Sequence, residues 1–302
     1  MGAALTYSMP PPEPHEGVFI VIGDSRSGFG NEDFEMTENI INDAIDYTLV
    51  NYGVIDGIIM TGDYVNSGKN DDEWILWYEA NENAFDYPVY PNIGNHDDER
   101  LSCNLLEPLG EIGDFFCYFF KYPTTNYYQV FQKPDWYFVD IGPIHLVSIS
   151  SNFEGELLDI WQWVWLSDDL LFQNTKKWTF VNFHAPAYAS YTWFQEGHGS
   201  DENMQDKYVP LLHLAGVDLV INGHNHWYER LEDDEGLTHV TVGGGGAPLL
   251  PVSLLPNDRH EFSIENKFGY GYAILLVDNE TMSMEAIRYD SHDKMDYFEI
   301  IK

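Results

Sequence analysis

Short apolar runs alternate with stretches of helical periodicity along most of the chain. Val18–Ile22 is the first run, and it stops at GDSRSG. From Thr37 to Tyr52, residues Ile40, Ile41, Ala44, Ile45, Thr48 and Leu49 recur at helical spacing, with acids around the start and Gly53 at the end. That pattern predicts an amphipathic helix. Ile55–Met60 predicts a second strand running into TGDY, Asp71–Phe85 a second helix, and Pro88–Ile93 a third strand ending at GNHD. A repeat of strand, acidic loop and helix predicts an α/β layered fold with its site at strand ends.

The pattern breaks between Leu101 and Tyr122, an irregular aromatic stretch. Strands are expected at Tyr127–Phe131, Tyr137–Ile141 and Ile144–Ile149, then a helix over Trp161–Leu171. Trp178–Phe183 reads as a strand delivering His184, Lys207–Ala215 as a helix, and Val217–Ile221 as a strand delivering GHNH. Strands near His239–Val242, Tyr270–Val277 and Met282–Tyr289 are expected to finish the chain. Residues 1–16 read as a Pro-rich leader and 17–302 as a single domain, since no repeat or charged linker divides them.

Composition narrows the function classes. Fourteen basic residues against 50 acidic ones give a formal charge of −36. Gripping nucleic acid relies on Lys and Arg, so that role is not expected, and an anionic membrane surface is disfavoured in the same way. Apolar residues make up 44% and aromatics 16%, enough to bury a core. No run approaches the length of a membrane span. The leader lacks the basic start of an intact signal peptide and reads as a remnant of processing. Cys103 and Cys117 read either as a disulfide or as two small buried hydrophobes. An exported or cell-surface chain is expected, with the cytoplasm of a salt-adapted organism as the alternative.

Asp24, Asp63, Asn95, His96, His184, His224 and His226 each follow an apolar run and sit in or beside a turn, where rigid strands commonly present functional groups. Carboxylates, an amide oxygen and imidazoles form a mixed O/N set suited to zinc, iron, manganese or similar ions. Each piece alone is weak, because Gly-Asp after a strand is often only a turn and a lone His is usually structural. The His224-x-His226 pair is stronger, since alternate positions of an extended segment project to one side. The conjunction, in order, carries the weight. His213 and His239 read as structural, as do His15, His145, His260 and His292. His198, in EGHGS, reads equally as a pocket-rim residue that touches substrate or as an exposed loop residue. The Gly243–Gly246 run lacks the Lys and helix of a phosphate loop and reads as a close backbone approach behind the site.

With GD at 23–24, GDY at 62–64, GNHD at 94–97, NFHAP at 182–186 and GHNH at 223–226, the chain resembles the calcineurin-like metallophosphoesterases. QWVWLSDDL, KWTFVNFHAPAYAS, GVDLVINGHNHWYER and HVTVGGGGAPL make it similar to the purple-acid-phosphatase-like branch, from Gly17 to Tyr289. The resemblance implies a four-layer αββα sandwich, two mixed β-sheets flanked by helices, with two divalent or trivalent metal ions. Asp63 would bridge both ions, Asp24 and His226 would complete the first position, and Asn95, His184 and His224 would hold the second. His96 would act on the leaving oxygen and Asp97 would orient His96. Two ions about 3.5–4 Å apart clamp an in-line displacement and supply hydroxide near neutral pH. The implied activity is hydrolysis of a small phosphate ester, most simply a monoester. A phosphodiesterase or nucleotide hydrolase is the first alternative, and a non-catalytic metal-binding protein the second.

Two positions depart from that pattern. Arg26 stands where many members have a metal-binding His, and Asn66 where purple acid phosphatases have a Tyr. Asn66 or water filling the gap, Arg26 gripping substrate phosphate as a catalytic side chain, a weak first metal position, and Arg26 merely pairing with surface acids all stay open from sequence.

Overall fold

The computed structural model describes residues 17–28, 33–97, 136–152, 156–190, 199–249 and 260–302. The leader, both cysteines, the Leu101–Tyr122 stretch, the Tyr127–Phe131 strand and His198 lie outside the described residues.

Strands β1 (Gly17–Ile22), β2 (Gly57–Met60) and β3 (Val89–Pro91) are parallel neighbours. Between them run helices α1 (Glu35–Tyr52) and α2 (Asp71–Ala80). Then come β4 (Tyr137–Ile141), β5 (Ile144–Ser148), α3 (Glu156–Asp168), β6 (Trp178–Asn182), α4 (Val209–Ala215), β7 (Leu219–Asn222), β8 (Tyr228–Glu232) and β9 (Thr238–Val242). β10 (Ser263–Lys267), β11 (Gly271–Val277), β12 (Thr281–Arg288) and β13 (Lys294–Ile301) follow. The first sheet has the order β13-β12-β11-β1-β2-β3 and the second β10-β8-β9-β7-β6-β5-β4. Both are mixed, as expected.

Three apolar cores separate four layers. On β1, Val18, Ile20 and Ile22 face α1 and α2, joining Ile40, Ile41, Ala44, Trp74 and Trp77. The alternate residues Phe19 and Val21 face the second sheet, with Leu146, Phe180, Leu219 and Val240. Beyond that sheet, Val147, Val181 and Val220 pack on Trp165, Leu166, Leu211 and Leu212 of α3 and α4. A strand covered on both faces has no solvated side, which explains the unbroken apolar runs. The α1 stripe packs as its periodicity predicts, except that Leu49 points outward.

Other boundaries shift for local reasons. α2 starts at Asn70, whose side chain accepts from the N–H groups of Asp72 and Glu73, with three acids in the first turn facing the positive end of the helix dipole. It ends before Phe85, because Asn81 turns its side-chain amide back onto the Trp77 carbonyl at 2.8 Å, and a 3₁₀ turn follows. α3 begins earlier than predicted and gives way to a π-turn at Asp169–Gln173. β8, β10 and β13 escape the apolar pattern, and the chain does not finish at β12. β8 buries Glu229 wholly, its carboxylate held by Ser190, Ser263 and Trp227. β13 is an edge strand that buries only Met295 and Phe298, with a register shift against β12.

The edge hairpin β4–β5 is tied to the end of α3 by one imidazole. His145 Nδ1 lies 2.7 Å from Asp140 Oδ1 and Nε2 lies 2.8 Å from Asp169 Oδ2. Both ring nitrogens face carboxylates, so only the imidazolium donates to both. Burial opposes that charge, but the two carboxylates prevail and push the His145 pKa up to about 9. A group raised in the folded state stabilises below its unfolded pKa of about 6.5, and that contribution fades as pH rises through its folded value. The stability lost in H145Q is therefore expected to be greatest near about pH 6. It should shrink by on the order of 2–3 kcal/mol by about pH 10. Chemical unfolding of both proteins across that range reads the difference.

Candidate metal centre

The site residues occupy the carboxyl ends of five parallel strands, three from the first sheet and two from the second. Asp24 follows β1, Asp63 follows β2, Asn95 and His96 follow β3, His184 follows β6, and His224 and His226 follow β7. Polar side chains seam the two sheets just beneath. Asn92 donates to Ser148 Oγ, the Ile149 carbonyl and the Asn182 carbonyl at 2.7–3.1 Å. Asn182 donates to the Met60 carbonyl at 3.1 Å and Asn222 to the Phe183 carbonyl at 2.6 Å. The sequence reading passed over these asparagines. Their signal was an amide residue closing an apolar run, two or three positions before Asn95, His184 and His224.

Backbone strain marks the same place. Asp24 and Asp63 both have φ of 56° and His224 has φ of 71°, a left-handed region that non-glycine residues rarely occupy. Close approach fixes Gly94, where a Cβ would lie 2.1 Å from Asp63 Oδ1. The Gly243–Gly246 run packs as expected against the turn after β1, with the Gly245 N–H on the Gly23 carbonyl and a Cβ at Gly243 falling 2.0 Å from the Asn225 carbonyl.

Acceptor atoms converge in this setting. His184 Nε2 lies 3.2 Å from Asp63 Oδ1, 3.2 Å from Asn95 Oδ1 and 3.3 Å from His224 Nδ1. His224 Nδ1 is 2.9 Å from Asn95 Oδ1. His184 Nδ1 meets the Thr61 carbonyl at 2.7 Å. A carbonyl only accepts, so Nδ1 carries a proton and Nε2 is the nitrogen turned into the cluster, where a proton or a metal ion takes up its lone pair. His226 repeats the arrangement, with Nδ1 2.6 Å from the Pro248 carbonyl and Nε2 3.5 Å from Asp24 Oδ1. Acceptor atoms this close repel one another unless a proton or a metal ion lies between them. One ligand atom each of Asp24, Asp63 and His184 falls within 4.8 Å of the others. The donor set therefore fits oxygen- and nitrogen-loving metal ions.

The charges agree. Burial alone would push Asp63 up, but the imidazoles of His184, His96 and His224 overcome it and hold the carboxyl well below its usual range. Burial would lower His184, yet the Asp63 charge raises it to about 9. Proton and metal ion compete for the same lone pairs.

Two residues differ from expectation. Asp97 supports the ligands rather than aiming the His96 ring. Its Oδ2 accepts the N–H groups of Asp63 and Gly94, both at 2.8 Å, and its Oδ1 accepts from Tyr64 at 2.9 Å and Val65 at 3.4 Å. Burial and the Asp63 charge push it up to about 8, against the pull of those N–H groups. His96 Nδ1 is held instead by the Asn66 carbonyl at 2.8 Å. Arg26 is only 2% exposed. Its Nε faces Asp63 Oδ2 at 3.8 Å, and an Nη donates to Asn66 Oδ1 at 2.6 Å. An incoming ester would find little of Arg26 to touch, and the Asn66 oxygen is already engaged.

His213 and His239 both reach Asp233 Oδ2, at 2.9 and 3.2 Å, and so tie α4 to the β8–β9 turn. Among the described residues these histidines serve packing, as the sequence reading held.

A family model described as calcineurin-like phosphoesterase matches residues 17–228. The chain belongs to that family. Phosphoenolpyruvate phosphatase of Allium cepa is 27% identical over 237 residues, which is 71% of this chain and 47% of that protein. Purple acid phosphatase 1 of Ipomoea batatas is 26% identical over 250 residues, 74% of this chain and 51% of that protein. The solved purple acid phosphatase PPD1 from yellow lupin (Lupinus luteus) seeds gives a TM-score of 0.74 at 20% identity, over 97% of this chain and 55% of that one. Its likeness is one of fold. The chain thus spans about half the length of the curated relatives it matches. Within the family it sides with the purple acid phosphatases, and its sheets and helices are arranged as that branch implies.

Because Asp97 carries four backbone contacts of the ligand loops, D97A is expected to disturb the site and the fold together. The thermal midpoint should fall by several degrees, corresponding to about 2–3 kcal/mol, and metal uptake should weaken in the same variant. An unchanged midpoint with unaltered uptake would contradict the role given to Asp97.

Proposed function

We propose that this chain is a metal-dependent hydrolase of small phosphate esters, most simply a phosphomonoesterase, working with a two-ion centre. The observation that carries the reading is the convergence of Asp63 Oδ1, His184 Nε2, Asn95 Oδ1 and His224 Nδ1 within 3.3 Å contacts, with Asp24 and His226 alongside. Asp63 would lie between the ions, Asp24 and His226 would serve one, and Asn95, His184 and His224 the other. Zinc, iron and manganese all suit this donor set. Such ions polarise a phosphoryl group and lower the pKa of water, supplying the nucleophile near neutral pH.

The protein's own groups supply orientation and a proton. Thr61 and Pro248 fix the ring faces of His184 and His226 through their carbonyls. His96 is 21% exposed, and its Nε2 stands 4.0 Å from Asp63 Oδ2. With Nδ1 on the Asn66 carbonyl, the imidazolium would present its Nε2–H to the departing oxygen. Arg26 is read as a positioning residue rather than a catalytic one, since it is buried against Asp63 and Asn66. The charge of −36 disfavours polyanionic substrates and so favours small esters over nucleic acid. It suits an exported chain, and among the described residues no helix is long and apolar enough to cross a membrane.

N95A and H224A are each expected to lower the hydrolysis of a nitrophenyl phosphate monoester at least about 1000-fold, and H96A about 100-fold in kcat. H213A, remote from the cluster, should change it less than about 3-fold. The bis-nitrophenyl diester should turn over more slowly than the monoester. Faster turnover of the diester would replace the monoesterase reading with the diesterase one, and equal losses in H213A and H224A would overturn the assignment of the centre.

A further inference from the structure

We infer that the two cation positions are unequal. Asp63, Asn95, His184 and His224 bind one ion tightly, and the Asp24–His226 side takes a second only weakly, because the Arg26 guanidinium already faces Asp63 Oδ2, the oxygen left for that ion. The inference rests on the metal-dependent reading above and concerns only how the ions divide.

The two oxygens of Asp63 face different company. Oδ1 accepts the His96 N–H at 3.0 Å and faces His184 Nε2 at 3.2 Å. Oδ2 faces Arg26 Nε at 3.8 Å, with His96 Nε2 beyond it at 4.0 Å. An ion on the first side meets an imidazole lone pair and an amide oxygen. An ion reaching Oδ2 shares it with a fixed cation, and like charges around one buried carboxylate repel strongly.

Arg26 is also locked in place. Asn66 Oδ1 accepts from the guanidinium at 2.6 Å, and Asn66 Nδ2 donates to Ser27 Oγ at 2.7 Å. The Asn66 backbone N–H is held by the buried Glu73 carboxylate at 2.7 Å. A further guanidinium contact runs to the Ser27 carbonyl at 3.4 Å. Swinging Arg26 away to admit an ion would break this chain of contacts and take from the half-buried Asn66 Oδ1 its guanidinium donor. Arg26 and Asn66 therefore act together, one as a built-in charge and the other as its anchor.

The test is a calorimetric titration of the metal-stripped full chain with Zn²⁺, with elemental analysis after dialysis. Wild type is expected to retain one equivalent and to bind a second at least about 100-fold more weakly. R26Q removes the charge while keeping a polar side chain, and its second equivalent should tighten at least about 10-fold, whereas R26K should behave like wild type. Two equally tight equivalents in wild type, a measurement that needs no variant, would overturn the inference. So would an unchanged second site in an R26Q protein whose near-UV circular dichroism shows it folded. Turnover separates this inference from the reading beneath it: equal ions with phosphatase activity would sink the inequality alone, and no Zn²⁺ binding at all would sink both.

Discussion

Everything at this site depends on holding mutually repelling acceptors face to face at the seam between two sheets. His184 Nε2, Asp63 Oδ1, Asn95 Oδ1 and His224 Nδ1 lie within about one hydrogen-bond length of one another, and Asp63 and His184 are almost entirely buried. Desolvated lone pairs in such proximity are unfavourable without positive charge. The fold supplies the means of keeping them there. Neither sheet does so alone, because Asp24, Asp63 and Asn95 come from one and His184, His224 and His226 from the other.

Rigidity at the seam follows from ordinary polar satisfaction. Asn92 and Asn182 bridge the sheets through backbone carbonyls, and the His224 N–H reaches both oxygens of Asp24 at 3.0 and 2.8 Å. Asp97 collects amides from both the Asp63 and Gly94 loops. The left-handed backbone at Asp24, Asp63 and His224 costs on the order of 1–3 kcal/mol each, and the three apolar cores on either side of the sheets stabilise the frame that enforces it. Strain at these candidate ligand positions is thus the local consequence of a globally satisfied structure.

What was legible in the sequence was what local spacing encodes. GD, GDY, GNHD, NFHAP and GHNH each place a candidate ligand at the end of an apolar run, so the six candidate positions could be read without knowing which strands pair. Contacts between distant segments were not legible. Nothing in GDSRSG shows that Arg26 meets Asn66, 40 residues away, or that Asp97 turns toward Asp63 rather than toward the adjacent His96. Strands β8, β10 and β13 were missed because charged and polar residues interrupt their apolar pattern, and Glu229 is buried through partners far along the chain.

The converging acceptors are proposed as a cation site. A crystal structure of the metal-loaded protein, with anomalous scattering recorded on both sides of the metal's absorption edge, tests it most directly. A strong peak is expected within coordination distance, about 2.0–2.2 Å, of Asp63, Asn95, His184 and His224. An empty cluster with ions bound elsewhere, or with the His184 ring still protonated against Asp63, would contradict it.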